Sequence, residues 1–405
     1  MNHGINVYSE IKPLKTVLVH RPGNELLNLT PDTLEELLFD DIPFLKIAQQ
    51  EHDAFVKIMQ DNGVEVVYLE DLMSEVLDID DEIRSEFINQ FLLEGCADRR
   101  YHNAIKKYLN ELKDNKEVVL KLMEGIKYSD IKTDIAVSLA DMTNANNNML
   151  LPPLPNLYFT RDPMASIGKA VTINRMRFET RRRETIFTDY IFRYHPRFGN
   201  VRRLYDRTDP YSIEGGDILN LNEETIAIGI SQRTEANAIE FLSKHIFRNP
   251  ENKIRTILAF SIPKNRSFMH LDTVFTQIDY DKFTVHPGIM NDITVYKLTK
   301  CDGKICIEKQ EDSLENSLKD ALKLDEVTLI RCGGNDFISA QREQWNDGSN
   351  TLCLAPGVIL VYERNEITNR LLESYGIKVL RMPSSELSRG RGGPRCMSMP
   401  LWRED

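Results

Sequence analysis

From Lys15 to His20 the chain reads KTVLVH, an apolar run closed by the turn-forming pair Pro22-Gly23, and this predicts a buried strand. Leu45, Ala48, His52, Phe55 and Met59 then recur at spacings of three and four, which makes one face of a helix. Gly63 follows as a C-cap, and Val64 to Leu69 (VEVVYL) predicts a second strand. The opening is therefore strand, helix, strand. A change of texture follows. No proline occurs between Pro43 and Pro152, and the stretch from Asp71 to about Leu151 is rich in Glu, Lys, Leu and Ile. Ile83, Phe87, Gln90 and Phe91 fit a helix, as do Ile105, Tyr108 and Leu109. An all-helical insertion over 71–150 is the expectation, closed by the cluster Pro152-Pro153-Leu154-Pro155.

Beyond it, strands alternate with short helices, and the chain faintly repeats itself. The helix, glycine and strand of His52 to Leu69 are echoed by Thr368 to Met382, with Leu371 and Leu372 on the helix and Gly376 as its cap. Glu214-Gly215-Gly216-Asp217 is expected to open a strand pair, and Gly333-Gly334-Asn335-Asp336 a similar one. Such repeats suggest a closed or stacked array of β-α units. A single doubly wound α/β sheet is the plainer reading of the same pattern.

At 405 residues the chain is too long for one ordinary core. With 41% hydrophobic and 28% charged residues it has a soluble globular profile. A net charge of −11 argues against nucleic acid as a partner and mildly favours a cationic substrate. The N-terminal residues lack the apolar stretch of a signal peptide, and the most apolar segment, Thr351 to Tyr362, is interrupted by Pro356 and Gly357. A cytoplasmic protein with no membrane partner is expected. The six cysteines are scattered without a CxxC or Cys/His cluster, so reduced thiols are expected rather than a disulfide framework or structural zinc.

Four segments could carry chemistry. In Gly390-Arg391-Gly392-Gly393-Pro394-Arg395-Cys396, a cysteine follows a glycine-rich loop beside two arginines, whose charge would favour the thiolate. In His270-Leu271-Asp272, a strand would turn both polar side chains to one face. Asp162 precedes Pro163, which favours an extended backbone at a strand end. Glu214 and Asp217 flank two glycines. Taken singly, each has an ordinary structural explanation: a buried cysteine, an incidental H-x-D, an Asp-Pro turn, a hairpin. Together, carboxylates, a histidine and a cysteine suit covalent chemistry on a cation such as a guanidinium, whose flat fork of donors matches paired carboxylates.

The segments ELLFDDIP (Glu36 to Pro43), PNLYFTRDP (Pro155 to Pro163), EGGD (Glu214 to Asp217), MHLDT (Met269 to Thr273) and GRGGPRCMSMPL (Gly390 to Leu401) resemble those of arginine deiminases, members of the guanidino-group-modifying or pentein superfamily. They run in order along essentially the whole chain. The resemblance implies a five-bladed pseudosymmetric α/β propeller of ββαβ units, formed by residues 1–70 and 151–405, with 71–150 as an inserted all-helical domain. It implies hydrolysis of L-arginine to L-citrulline and ammonia without metal or cofactor. Cys396 resembles the nucleophile that forms an S-alkylthiouronium intermediate. Asp162 and Asp272 match the guanidinium clamps, His270 the acid and base, and Glu214 its orienting partner. Arg181 and Arg233 match the pair for the substrate carboxylate. Asn156 and Phe159 match lining residues, and Arg391 a gating arginine. A homo-oligomer, dimer or tetramer, is expected.

The rivals within the superfamily are an agmatine deiminase, a dimethylarginine hydrolase and an amidinotransferase. Arg181 and Arg233 argue against the first, the insertion against the second, and the full motif set against the third. A non-catalytic arginine sensor is the rival from another class, and the intact Cys396, His270 and Glu214 count against it.

Overall fold

Among the described residues, one unit recurs: an antiparallel strand pair whose second strand is joined, by way of a helix, to a third strand parallel to it. The computed structural model describes residues 4–404 except 97, 133, 136, 137, 140, 141, 143–147, 250, 251 and 291. Among these, five sheets share that order. The first is Met164–Ile167, Ala170–Ile173 and Arg202–Tyr205. The second is Ile218–Asn220, Thr225–Ile230 and Thr256–Ser261, widened by the hairpin Thr294–Cys301 and Lys304–Lys309. The third is Phe275–Gln277, Lys282–Val285 and Thr328–Arg331, and the fourth Leu352–Ala355, Val358–Tyr362 and Lys378–Met382. The fifth joins the two ends of the chain, Met399–Arg403 against Leu14–Val19, with Glu65–Tyr68 parallel to the latter. These are separate sheets, not one doubly wound sheet.

Helix α1 (Leu45–Asp61) crosses over the fifth sheet and buries Ala48, Glu51, His52, Phe55, Val56 and Met59; of the expected face, Ala48, His52, Phe55 and Met59 are buried and Leu45 is half-buried. Gly63 ends it at φ +78°, a conformation open to glycine without a Cβ penalty. Four helices follow: α2 (Leu69–Leu77), α3 (Asp81–Gly95), α4 (His102–Asn110) and α5 (Asn115–Glu124). Asp80 and Asp114 cap α3 and α5 by accepting from the backbone N–H of Glu82 and Glu117. The segment is not wholly helical, because Ile126–Lys127 pairs antiparallel with Met149–Leu151. The expected helical content at the undescribed positions between 133 and 147 lies outside the described residues. Among the described residues the longer helices that follow are α6 (Glu184–Tyr194), α7 (Ala236–Arg248), α8 (Leu314–Leu322), α9 (Phe337–Trp345) and α10 (Glu366–Ser374), with a single helical turn, Glu179–Arg182, just before α6. Phe87 of α3 meets Phe187 and Tyr190 of α6 at ring-centroid distances of 5.7 and 5.2 Å, so the inserted helices share a core with the first sheet's crossover.

Two further expectations need correcting. Gly333 to Asp336 opens a helix instead of a strand pair: both glycines have positive φ and turn the chain, and Asp336 caps α9 by accepting from Ser339 N–H. Cys301 and Cys306 form a disulfide across the hairpin of the second sheet, because its tight turn brings their Cα atoms to 5.8 Å. Cys96, Cys332, Cys353 and Cys396 are free and buried. No described helix is long and apolar enough to cross a membrane.

Candidate active site

The loops entering the first strands of the sheets carry the five catalytic candidates, whereas Arg181 and Arg233 follow the second strands of the first two sheets. Asp162 sits two residues before Met164, Glu214 four before Ile218, His270 and Asp272 just before Phe275, and Cys396 three before Met399. Eight of the ten expected residues line one cavity: Asn156, Phe159, Asp162, Arg181, Arg233, His270, Arg391 and Cys396, joined by Leu38, Met269, Thr273 and Gly390. Glu214 and Asp272 stand directly behind it, Glu214 against His270 and Asp272 against Cys396. The cavity is only about 20 Å³, room for a single water.

Glycines make this convergence possible. A Cβ on Gly215 would fall 2.0 Å from the Arg161 carbonyl, and one on Gly216 would fall 2.7 Å from the His270 ring. The EGGD loop therefore presses Glu214 against the Asp162 loop and the imidazole, which no larger residue permits. Its second carboxylate, Asp217, takes no part in the cavity. It accepts from Leu271 N–H and Ser231 Oγ, fixing the loop that carries His270.

His270 and Asp272 do not share a strand face as expected. His270 is extended, but Leu271–Thr273 is a 3-10 turn, and the two side chains part. His270 Nε2 lies 2.8 Å from Glu214 Oε2, and its Nδ1 lies 3.8 Å from Asp162 Oδ1. Burial alone would lower this imidazole, but the Asp162 charge and the Glu214 hydrogen bond raise it to about 9. Burial would raise Glu214, and Arg233 with His270 instead holds it well below the usual carboxylate range.

The two aspartates are braced alike. Arg181 Nη1 holds Asp162 Oδ2 at 2.6 Å and is itself held by Glu184. Arg395 Nη1 holds Asp272 Oδ2 at 2.7 Å and is itself held by Glu10. In each case Oδ1 is buried and has no hydrogen-bond partner among the described residues. One oxygen is pinned and the other is uncommitted, which suits a bidentate cationic ligand shared between them. Asp162, Glu214 and His270 can also bring one donor atom each within 4.8 Å of one another, the spacing of a metal site. Arg181, Arg233 and the imidazole already oppose those carboxylates, so the charge balance favours ion pairing.

Cys396 donates to Asp272 Oδ2 from Sγ at 3.7 Å, and its backbone N–H donates to Asn350 Oδ1 at 3.0 Å. Burial and the carboxylates of Asp272, Asp162 and Asp347 push its thiol well above the ordinary value, and Arg395 opposes this more weakly. The expectation that neighbouring arginines activate the free thiol is therefore corrected: Arg395 spends its donors on Asp272, Glu10 and the Ile218 carbonyl. Arg391, at φ +64°, lays its guanidinium 3.4 Å from the Trp345 ring centroid and 3.7 Å from Asp40. Arg233 stacks on Phe178, reaches Glu214 at 3.4 Å and keeps its Nε without a partner among the described residues. Arg181 is less available, since Glu184, Asp162 and the Asn156 carbonyl occupy its donors. Asn156 donates to the Leu37 carbonyl, and Phe159 packs on Tyr158 and under Gly392, where a Cβ would meet its ring at 2.3 Å.

Asn350, Glu184, Glu10 and Trp345 were not legible as site residues. Their segments show no motif, and only the folded chain brings them to the others.

The family model for arginine deiminase matches residues 35–403. The arginine deiminase of Treponema denticola is 55% identical, covering 99% of each chain. That of Clostridium perfringens is 53% identical, covering 100% of this chain and 99% of its own. Among solved structures, an amidinotransferase of saxitoxin biosynthesis from Microseira wollei superposes with a TM-score of 0.58 at 14% identity, covering 99% of this chain and 98% of its own. A dimethylarginine dimethylaminohydrolase from Pseudomonas aeruginosa superposes at 0.51 and 16% identity, covering 96% of this chain and 99% of its own. These structural neighbours share an α/β fold with this chain.

Proposed function

Because the chain belongs to the arginine deiminase family, we propose that its cavity hydrolyses L-arginine to L-citrulline and ammonia by way of a thiouronium on Cys396. The observation that carries the mechanism is the pair of braced aspartates, each with one buried oxygen uncommitted, flanking a cysteine and a charged histidine. The guanidinium sits between Asp162 and Asp272. Its positive charge offsets the carboxylates that keep the Cys396 thiol protonated, so substrate binding itself favours the thiolate. The thiol releases its proton to solvent as the substrate binds, and Sγ bonds to the guanidinium carbon. His270, raised to about 9 and so charged at neutral pH, gives its proton to the departing ammonia. The neutral imidazole then takes one proton from water, whose oxygen bonds to the same carbon; the remaining hydroxyl proton passes to the departing sulfur as the C–S bond breaks, giving the citrulline carbonyl and the thiol. Glu214 orients the imidazole and stabilises its cation.

Arg233 and Arg181 receive the α-carboxylate, Arg233 first because its Nε is uncommitted. Asn156 and Phe159 line the aliphatic and amino end. The closed cavity cannot admit arginine without movement, and Leu38 and Arg391 are the lining residues held at positive φ. Arg391 is accordingly the gate.

The shared pairing order and the matching positions of the site residues support closure of the sheets into a five-bladed propeller of ββαβ units. Residues 1–70 and 151–405 form this catalytic domain, and 71–150 the helical insertion. The enzyme works in the cytoplasm as a homo-oligomer, dimer or tetramer, and exposed Phe337, Ile338 and Ile367 offer apolar surface for assembly. It uses no metal or organic cofactor. Citrulline and ammonia measured in EDTA, with L-arginine as sole substrate, test the reading. A one-to-one yield is expected. Urea and ornithine as products would sink it.

A further inference from the structure

Four of the five sheets place a candidate residue in the loop entering their first strand, and the fourth sheet holds Asn350 there. It lies two residues before Leu352, the place Asp162 takes before Met164. Asn350 is fully buried and does not line the cavity. Its Oδ1 accepts from the Cys396 backbone N–H at 3.0 Å, and its Nδ2 donates to the Asp272 carbonyl at 3.2 Å. Gly393 packs so closely that a Cβ there would fall 2.6 Å from the Asn350 carbonyl and 2.8 Å from its Oδ1. One amide thus ties the backbone of Cys396 to the backbone of Asp272.

We propose that Asn350 is a positioning residue for the reaction, the fourth sheet's contribution to the site, and that it sets Sγ against the guanidinium-holding carboxylate. This rests on the reading of Cys396 as nucleophile and Asp272 as clamp. The residue type follows from the two bonds. The Cys396 N–H needs an acceptor and the Asp272 carbonyl needs a donor, and a short carboxamide supplies both. Aspartate would keep the first bond, lose the second and add another negative charge beside the thiol. Alanine would leave the Cys396 N–H unpaired and the Asp272 carbonyl with only the Thr276 hydroxyl as donor. Attack requires reacting atoms about 3–3.5 Å apart and aligned, and a shift of about 1 Å costs on the order of a hundredfold in rate.

The test uses the full chain with Asn350→Asp and Asn350→Ala. Steady-state kinetics on L-arginine, the pH dependence of Cys396 alkylation by iodoacetamide, and intact mass of acid-quenched enzyme are measured together. The expected result is a kcat lower by roughly ten- to a hundredfold with KM little changed. Less thiouronium should accumulate, and the alkylation profile of Asn350→Asp should move to higher pH. Asn350→Asp is nearly isosteric, so it decides the matter if Asn350→Ala does not fold. An Asn350→Asp enzyme with wild-type kcat and alkylation profile, or a loss confined to KM, overturns the proposal. Failure of the underlying reading looks different: the wild type itself would then form no Cys396 adduct during turnover.

Discussion

Glu214→Gln asks how His270 stays charged. The imidazole lies 2.8 Å from Glu214 Oε2 and 3.8 Å from Asp162 Oδ1, and it is raised from 6.5 to about 9 although burial opposes this. Glutamine keeps the size of Glu214 and removes its charge. A hydrogen bond to a charged group contributes roughly 1.5–3 kcal/mol, or about 1–2 pH units at about 1.36 kcal/mol each, so the imidazole should fall to about 7–8. At pH 8.5, taking about 7.5 for the variant, the charged fraction drops from about three quarters to about a tenth, an eightfold loss. At pH 6 both enzymes carry a charged His270, and this loss vanishes. The assay is kcat for citrulline release from pH 5.5 to 9.5, read as the ratio of variant to wild type. The ratio should fall steadily above neutral pH. A ratio constant with pH would refute the reasoning, because Glu214 would then matter for shape and not for charge. The same shift makes a stability prediction. A group raised on folding stabilises fully below its unfolded value and loses that contribution as pH rises through the folded one. Wild-type melting temperature should therefore decline between about pH 6.5 and 9 more than that of Glu214→Gln.

Cys396→Ser should abolish turnover and leave the melting temperature within a few degrees of wild type, since one buried atom changes; retained activity would show that another group attacks. Arg233→Ala should lower kcat/KM on L-arginine about ten- to over a hundredfold, from the loss of a charge-assisted bond of roughly 1.5–3 kcal/mol, and lower it less on agmatine, which has no carboxylate. Because Arg233 also holds Glu214 down, some loss on agmatine is expected, and equal losses on both substrates would remove Arg233 from recognition.

The local elements were legible along the chain. The buried strand before His20, the α1 face from Leu45 to Met59 and the glycine that ends it follow from spacings of two to four residues. Short-range sterics and burial set such features, and the chain writes them locally. The resemblance also named eight of the cavity's twelve lining residues, six of them within contiguous motifs and Arg181 and Arg233 outside those motifs. Tertiary structure decided how those residues are charged and held. Nothing near Asp162 or Asp272 in sequence says that Glu184 and Glu10 brace the arginines that pin them; Glu10 lies 385 residues from Arg395. The thiol beside two arginines reads as activated until burial and three carboxylates outweigh them. Asn350 has no motif at all, and its two partners lie 46 and 78 residues away. Ionisation and hydrogen bonding depend on distance and exclusion of water, and those are properties of the packed loops that no stretch of sequence contains.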